Sequence, residues 1–131
     1  SVEAVVVPFD AENGYALAAS YEMGKVVDSY GGGICQVSTT LYVAVLKAEL
    51  EVTERYSHSM IVHYVDPSMD AAIAEGLKDL KFINNTDAPI YIEASAEAPC
   101  ILPSTAMRRE IRTARSAMRV RRQARRIRRR A

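Results

Sequence analysis

The sequence contains no tryptophan, two histidines and two cysteines in 131 residues. Cys35 and Cys100 give neither a disulfide framework nor metal-ligand spacing, and they leave the redox compartment open. No apolar run is long enough to cross a bilayer, and no signal peptide opens the chain. The chain begins at Ser1, without a methionine, inside an expected strand, as a piece cut from something longer would. Three consecutive glycines, Gly31 to Gly33, are not followed by Gly-Lys-Ser/Thr, which excludes a phosphate-binding P-loop. Basic residues are scarce in most of the chain. Residues 1–107 hold 5 basic against 15 acidic residues, or −10, whereas residues 108–131 hold 12 arginines and one acid, or +11. The overall +1 describes neither part.

What is present centres on residues 30–42, Tyr-Gly-Gly-Gly-Ile-Cys-Gln-Val-Ser-Thr-Thr-Leu-Tyr. The glycines permit positive φ and close backbone approach at an entropic cost. After them Val37, Leu41, Val45 and Ala48 recur at helical spacing, widened by Ala44 and Leu46, so the pattern predicts a helix from about residue 35 to 49. Cys35 then sits in its first turn, where orphan N–H groups and the helix dipole favour a thiolate nucleophile. The plainer alternative is a small buried hydrophobe behind a tight connection.

Around this helix the sequence predicts short strands. Val2 to Val7 ends at Pro8, and Glu12-Asn13-Gly14 has turn chemistry. Tyr15 to Tyr21 reads as a short helix or an irregular segment. Met23 to Asp28, with Gly24 as a turn, forms a hairpin-like approach to the glycines. Glu51 to Tyr56, Met60 to Val65, Ala71 to Glu75, Leu80 to Ile83 and Pro89 to Ala94 follow as strands, and Asn84 to Asp87 is the turn before the last. The fold class is α+β: one main helix on a mainly antiparallel sheet of short strands, within a single domain.

A cysteine nucleophile needs a base, often oriented by a third polar group. His58, in Tyr56-Ser57-His58-Ser59 at a break between expected strands, suits that role as well as it suits a structural one. His63 lies within an expected strand and reads as packed or solvent-facing. Asp66, before Pro67, is explained by its turn. Asp70, followed by an apolar stretch, is the better site candidate. The substrate-binding set is Gly32, Gly33, Gln36, Ser38 and Thr39. Gln36 and the Ser38 to Thr40 hydroxyls are candidate oxyanion donors, although Ser and Thr early in a helix are also common caps, which is the better reading of each hydroxyl taken singly.

These residues resemble a known family. The run from Gly31 to Tyr42, then Glu54-Arg55-Tyr56-Ser57-His58-Ser59, Met69-Asp70-Ala71 and the stretch from Phe82 to Ile92, with Ala11-Glu12-Asn13-Gly14-Tyr15, are similar to the VanW-like domain over about residues 2–97. The resemblance implies a domain spanning residues 1–97, truncated at its N-terminus, on the outer face of the cell envelope and joined to the membrane through a preceding anchor. It implies association with glycopeptide resistance. In some members it implies cysteine L,D-transpeptidase activity on peptidoglycan stem peptides, with Cys35, His58 and Asp70 in the catalytic positions, no cofactor and no metal. A non-catalytic peptidoglycan-binding domain is the competing expectation. The family often has Gly-Arg before the aspartate, where this chain has Ser68-Met69, which bears on carboxylate recognition and on the local turn.

The resemblance stops near residue 97, and residues 98–131 form an arginine-rich tail. One reading is an amphipathic helix or disordered arm on nucleic acid or an anionic surface. The favoured reading is a frameshift, which makes the tail non-native and leaves no nucleic-acid partner expected. Reading codons one base earlier lets Pro103 to Arg112 become Val-Tyr-Gly-His-Glu-Thr-Arg-Asp-Pro, similar to the strand and turn this family has next. On that reading Cys100 carries no function, and the last strand keeps an open edge. Sequencing the coding DNA between Glu93 and Pro103 decides it: an intact frame with no missing base removes the frameshift.

Overall fold

The computed structural model describes residues 1–96 and 116–122. It is an α+β fold with one long helix and three separate antiparallel strand pairs. The chain runs through α1 (Glu3–Val6), β1 (Ala18–Glu22), β2 (Lys25–Ser29), α2 (Ile34–Lys47), β3 (Glu51–Glu54), β4 (Lys81–Ile83), β5 (Ile90–Ala96) and β6 (Ser116–Arg122). Among the described residues no helix is long and apolar enough to cross a membrane.

The expected first strand is instead the single helical turn α1. Asp79 Oδ1 accepts the Glu3 N–H at 2.8 Å, and Ser1 Oγ accepts the Ala4 N–H at 3.0 Å. These contacts cap a helix start and override the β preference of the valines. The segment expected to be helical or irregular at 15–21 instead supplies β1, which pairs with β2 from Ala18↔Ser29 to Glu22↔Lys25. Its two-residue loop places Met23 (φ 49°) and Gly24 (φ 79°) in the positive-φ region that tight hairpins require.

Helix α2 lies close to its expected span. It ends where Glu49 adopts φ 57°, with Glu49 N–H bonded to Leu46 O (3.0 Å) and Leu50 N–H to Val45 O (3.2 Å). This is a Schellman closure with glutamate in the place usually taken by glycine. The helix is rotated from the expected apolar stripe. Val37 is 44% exposed, while Ser38 and Thr39 are buried beside Ala44 and Val45. Ala71, Ile73 and Leu80 form the centre of the core, with Val2, Phe9, Ile34, Leu41, Tyr42 and Val52 packed around them.

The remaining strands divide. β3 pairs with β4 through a bulge between Val52 and Glu54. Met60–Val65 is not a strand; it wraps the site as irregular chain, leaving Ile61 83% exposed. Ala71–Glu75 is not a ladder strand either, and contributes only the Ala74↔Lys78 bridge. β5 pairs along its whole length with β6, from Ile90↔Arg122 to Ala96↔Ser116. The helical reading of the tail therefore does not hold at 116–122, and the edge of β5 expected to be open is paired there. Cys100 and the rest of the tail lie outside the described residues.

Candidate functional site

The site is assembled on residues 70–74, each of which ties down a different element. Asp70 comes first. It leaves a turn in which Met69 N–H bonds Asp66 O at 3.1 Å and Ser68 takes φ 67°. That left-handed conformation explains why glycine suits the position, and serine supports the turn here without it. The buried Asp70 carboxylate accepts from the His58 backbone N–H (2.7 Å) and faces His58 Nδ1 (2.6 Å) through Oδ2. Arg55 Nη2 donates to Oδ1 at 2.7 Å, and Arg55 Nε donates to the Asp70 carbonyl at 2.7 Å. Burial pushes the carboxyl upward, but the His58 bonds and the Arg55 charge outweigh it and hold Asp70 below the ordinary carboxylate range. An ionised carboxylate only accepts, so His58 Nδ1 carries a proton, and in the neutral imidazole Nε2 is the acceptor. Arg55 is itself steadied over the Tyr42 ring, 5.5 Å from its centroid.

Ala71 takes the next set of bonds. Its carbonyl accepts from Ser38 Oγ (2.5 Å) and Thr39 Oγ1 (3.3 Å), and its N–H donates to Thr39 Oγ1 (3.0 Å). This corrects the substrate-binding assignment of Ser38 and Thr39. Both are buried, at 0% and 2% exposure, and their hydroxyls satisfy the backbone of the 70–74 segment in place of a neighbouring strand. Ala72 N–H bonds Tyr56 O at 2.8 Å. The glycines are also structural. A Cβ on Gly32 would lie 2.5 Å from Ala18 O, so Gly32 lets the β1 backbone pass, and Gly33 caps α2 with φ 88°.

Ile73 brackets the thiol. Cys35 Sγ donates to Ile73 O at 3.4 Å and accepts from Ile73 N–H at 3.5 Å. Cys35 is free and half-buried in the first turn of α2. It does not hydrogen-bond His58. The two meet as walls of one cavity of about 920 Å³, closed by the β1–β2 turn, the start of α2, the 58–64 loop and residues 72–74. Gln36 lines this cavity, as do His63 and Lys78. Tyr64 OH lies 3.5 Å from His58 Nε2, and the two rings meet edge to face at 6.3 Å. Burial raises the Tyr64 phenol, a Thr39 hydrogen bond opposes this, and the nearby Cys35 and Asp70 charges raise it further. Tyr64 is therefore a neutral donor at physiological pH. Among the described residues no group of three or more His, Cys, Asp or Glu is placed to hold a metal ion.

Arg55 and Tyr64 belong to this site although the sequence does not single them out. Arg55 has a visible signal, being the lone arginine before residue 108. Tyr64, inside a stretch that reads as a strand, has none.

Residues 1–102 match the family model described as VanW like protein. The Bacillus subtilis protein YoaR is 44% identical over 81 residues, covering 62% of this chain and 27% of that protein. The vancomycin B-type resistance protein VanW of Enterococcus faecalis is 32% identical over 89 residues, covering 63% of this chain and 32% of that protein. The chain thus spans about a third or less of the length of these curated relatives. No solved structure matches the chain significantly.

Proposed function

The chain belongs to the VanW-like protein family, and from that premise we propose that its cavity performs acyl transfer on peptidoglycan stem peptides through Cys35, as a cysteine L,D-transpeptidase does. One observation carries the reading: Asp70 holds the His58 Nδ1–H, leaving Nε2 as a base at the cavity that Cys35 also lines. The Enterococcus faecalis relative is named for vancomycin resistance, which is consistent with a cell-wall substrate. The working location is the outer face of the cell envelope.

In the reaction, the Cys35 thiol turns from Ile73 O and passes its proton to His58 Nε2. The thiolate attacks the carbonyl of the diamino acid in a stem tetrapeptide, forming a C–S bond. Collapse breaks the peptide bond, and the terminal D-amino acid leaves as its amine after taking the proton from His58. The side-chain amine of a second stem then attacks the thioester, gives its proton to His58 and restores the thiol. The Ile34, Gln36 and Val37 amides are already bonded to Gly31 and Gly33 carbonyls, so an oxyanion draws on the Cys35 amide and the Tyr64 phenol.

Mass spectrometry after incubation with stem tetrapeptide tests this. The expected product is a Cys35 adduct with the mass of the peptide less its terminal residue, absent in Cys35→Ala. The bracketing of Cys35 by Ile73 favours a second reading, a peptide-binding domain with a structural thiol. Binding of intact tetrapeptide with no adduct at any pH sinks catalysis and leaves that reading.

A further inference from the structure

The cavity has a charge bias that acyl transfer alone leaves unexplained. Although residues 1–107 carry 15 acidic residues against 5 basic ones, no aspartate or glutamate lines the cavity among the described residues. Its two histidines apart, Lys78 is the one cationic side chain lining it among the described residues. The backbone at Lys78 is held firmly. Ala74 N–H bonds Lys78 O at 2.9 Å, Lys78 N–H bonds Ala74 O at 2.8 Å, and Gly76 closes the turn with φ 71° while donating to the Glu3 carboxylate. Ala74 directly follows Ile73, which brackets Cys35, so one rigid segment positions both the thiol and the lysine.

The ammonium itself is uncommitted. Among the described residues Lys78 Nζ reaches only the Ser57 carbonyl, at 3.5 Å in an exposed setting, the limit of a hydrogen bond. Three residues on, Lys81 is neutralised by Glu54 at 2.6 Å and lies 3.9 Å from Asp79. Among the described residues no carboxylate pairs with Lys78. The same cavity lining offers Tyr21, Met23, Met60 and Ile61 as apolar surface, all more than half exposed.

We infer that Lys78 is a specificity-determining residue of this site, docking a free carboxylate of the peptide while the apolar wall takes its aliphatic portion. The identity of the ligand rests on the acyl-transfer reading. The carboxylate has two possible sources in a stem tetrapeptide: the α-carboxylate of the terminal D-amino acid, beside the scissile bond, or the free carboxylate of a diamino acid side chain.

The test is calorimetric binding to the full chain carrying Cys35→Ala, which separates binding from turnover. Three peptides are used: stem tetrapeptide, its C-terminal amide, and the form with the diamino acid carboxylate amidated. Lys78→Met is expected to weaken tetrapeptide binding about tenfold or more, and Lys78→Arg to retain most of it. Amidation of the docking carboxylate is expected to cost the same factor and to abolish the dependence on Lys78, naming the source. Equal affinity of the parent and Lys78→Met, no measurable binding by either, or a Lys78 dependence surviving both amidations overturns the inference. An unchanged thermal midpoint shows that Lys78→Met is folded. Lys78-dependent binding with no adduct on the intact Cys35 chain defeats acyl transfer and leaves the carboxylate site standing. An adduct forming equally in Lys78→Met does the reverse.

Discussion

At the scale of residues, the Asp70 carboxylate decides whether His58 can serve as the base of the proposed reaction. It spends Oδ2 on the His58 backbone and ring and Oδ1 on Arg55. Asp70→Asn replaces a pure acceptor with an amide that donates, which moves the imidazole proton to Nε2 and removes the base. Adduct formation on Cys35 should fall about a thousandfold or more, while peptide binding to the cavity changes little; equal adduct rates for the two proteins would contradict the assignment. Arg55→Gln removes two charge-assisted bonds and the contact with Tyr42, so the denaturant midpoint should report a loss of about 1.5–3 kcal/mol. Arg55→Lys should recover only part of this, because a point charge cannot bond both Asp70 Oδ1 and the Asp70 carbonyl in the same fork. The sequence shows Cys35, His58 and Asp70 as candidates because each residue type has its own chemistry. It does not show that Ser38 and Thr39 turn inward, since that depends on the bare backbone of Ala71 needing partners.

At the scale of elements, the three glycines before α2 separate into distinct jobs. Gly33→Ala places a side chain at φ 88° in open space, a cost of about 1–2 kcal/mol from backbone strain. Gly32→Ala drives a methyl into the Ala18 backbone and should cost about 1–3 kcal/mol, or more if the β1–β2 hairpin cannot shift. Because that hairpin forms one wall of the cavity, Gly32→Ala should also weaken peptide binding, whereas Gly33→Ala should lower stability alone. Thermal melts paired with binding isotherms separate the two, and a reversed order would show that Gly32 does not set the hairpin's approach. The main helix was legible because its period and flanking glycines are local features. The turn at Glu3–Val6, the irregular chain at 60–65 and the unpaired segment at 71–75 were not. In the first and the last, distant groups outweigh local β preference: Asp79 caps α1, and helix hydroxyls and a thiol bond the 71–73 backbone.

At the scale of the molecule, two buried carboxylates join distant parts of the chain and set its response to acid. Asp70 ties the segment after β3 to the 70–74 spine. Asp79 ties the chain leading into β4 to the N-terminus, accepting from Ser1 Oγ (2.6 Å), Glu3 N–H (2.8 Å) and Leu80 N–H (2.7 Å). Burial pushes Asp79 upward, yet these bonds and the Ser1 ammonium outweigh it, so both carboxylates stay below the ordinary range in the folded protein. The unfolded chain therefore binds more protons than the native one as pH falls below about 4–5. Stability from these groups is full above the unfolded carboxylate pKa and is lost as pH falls through the folded values. The denaturant midpoint should be flat near neutrality and drop steeply below that range. Asp79→Asn should lower the neutral plateau and flatten the acid limb, because the titrating group is gone. An acid limb of unchanged steepness in both Asp79→Asn and Asp70→Asn would mean that other carboxylates, and not these two ties, govern acid unfolding.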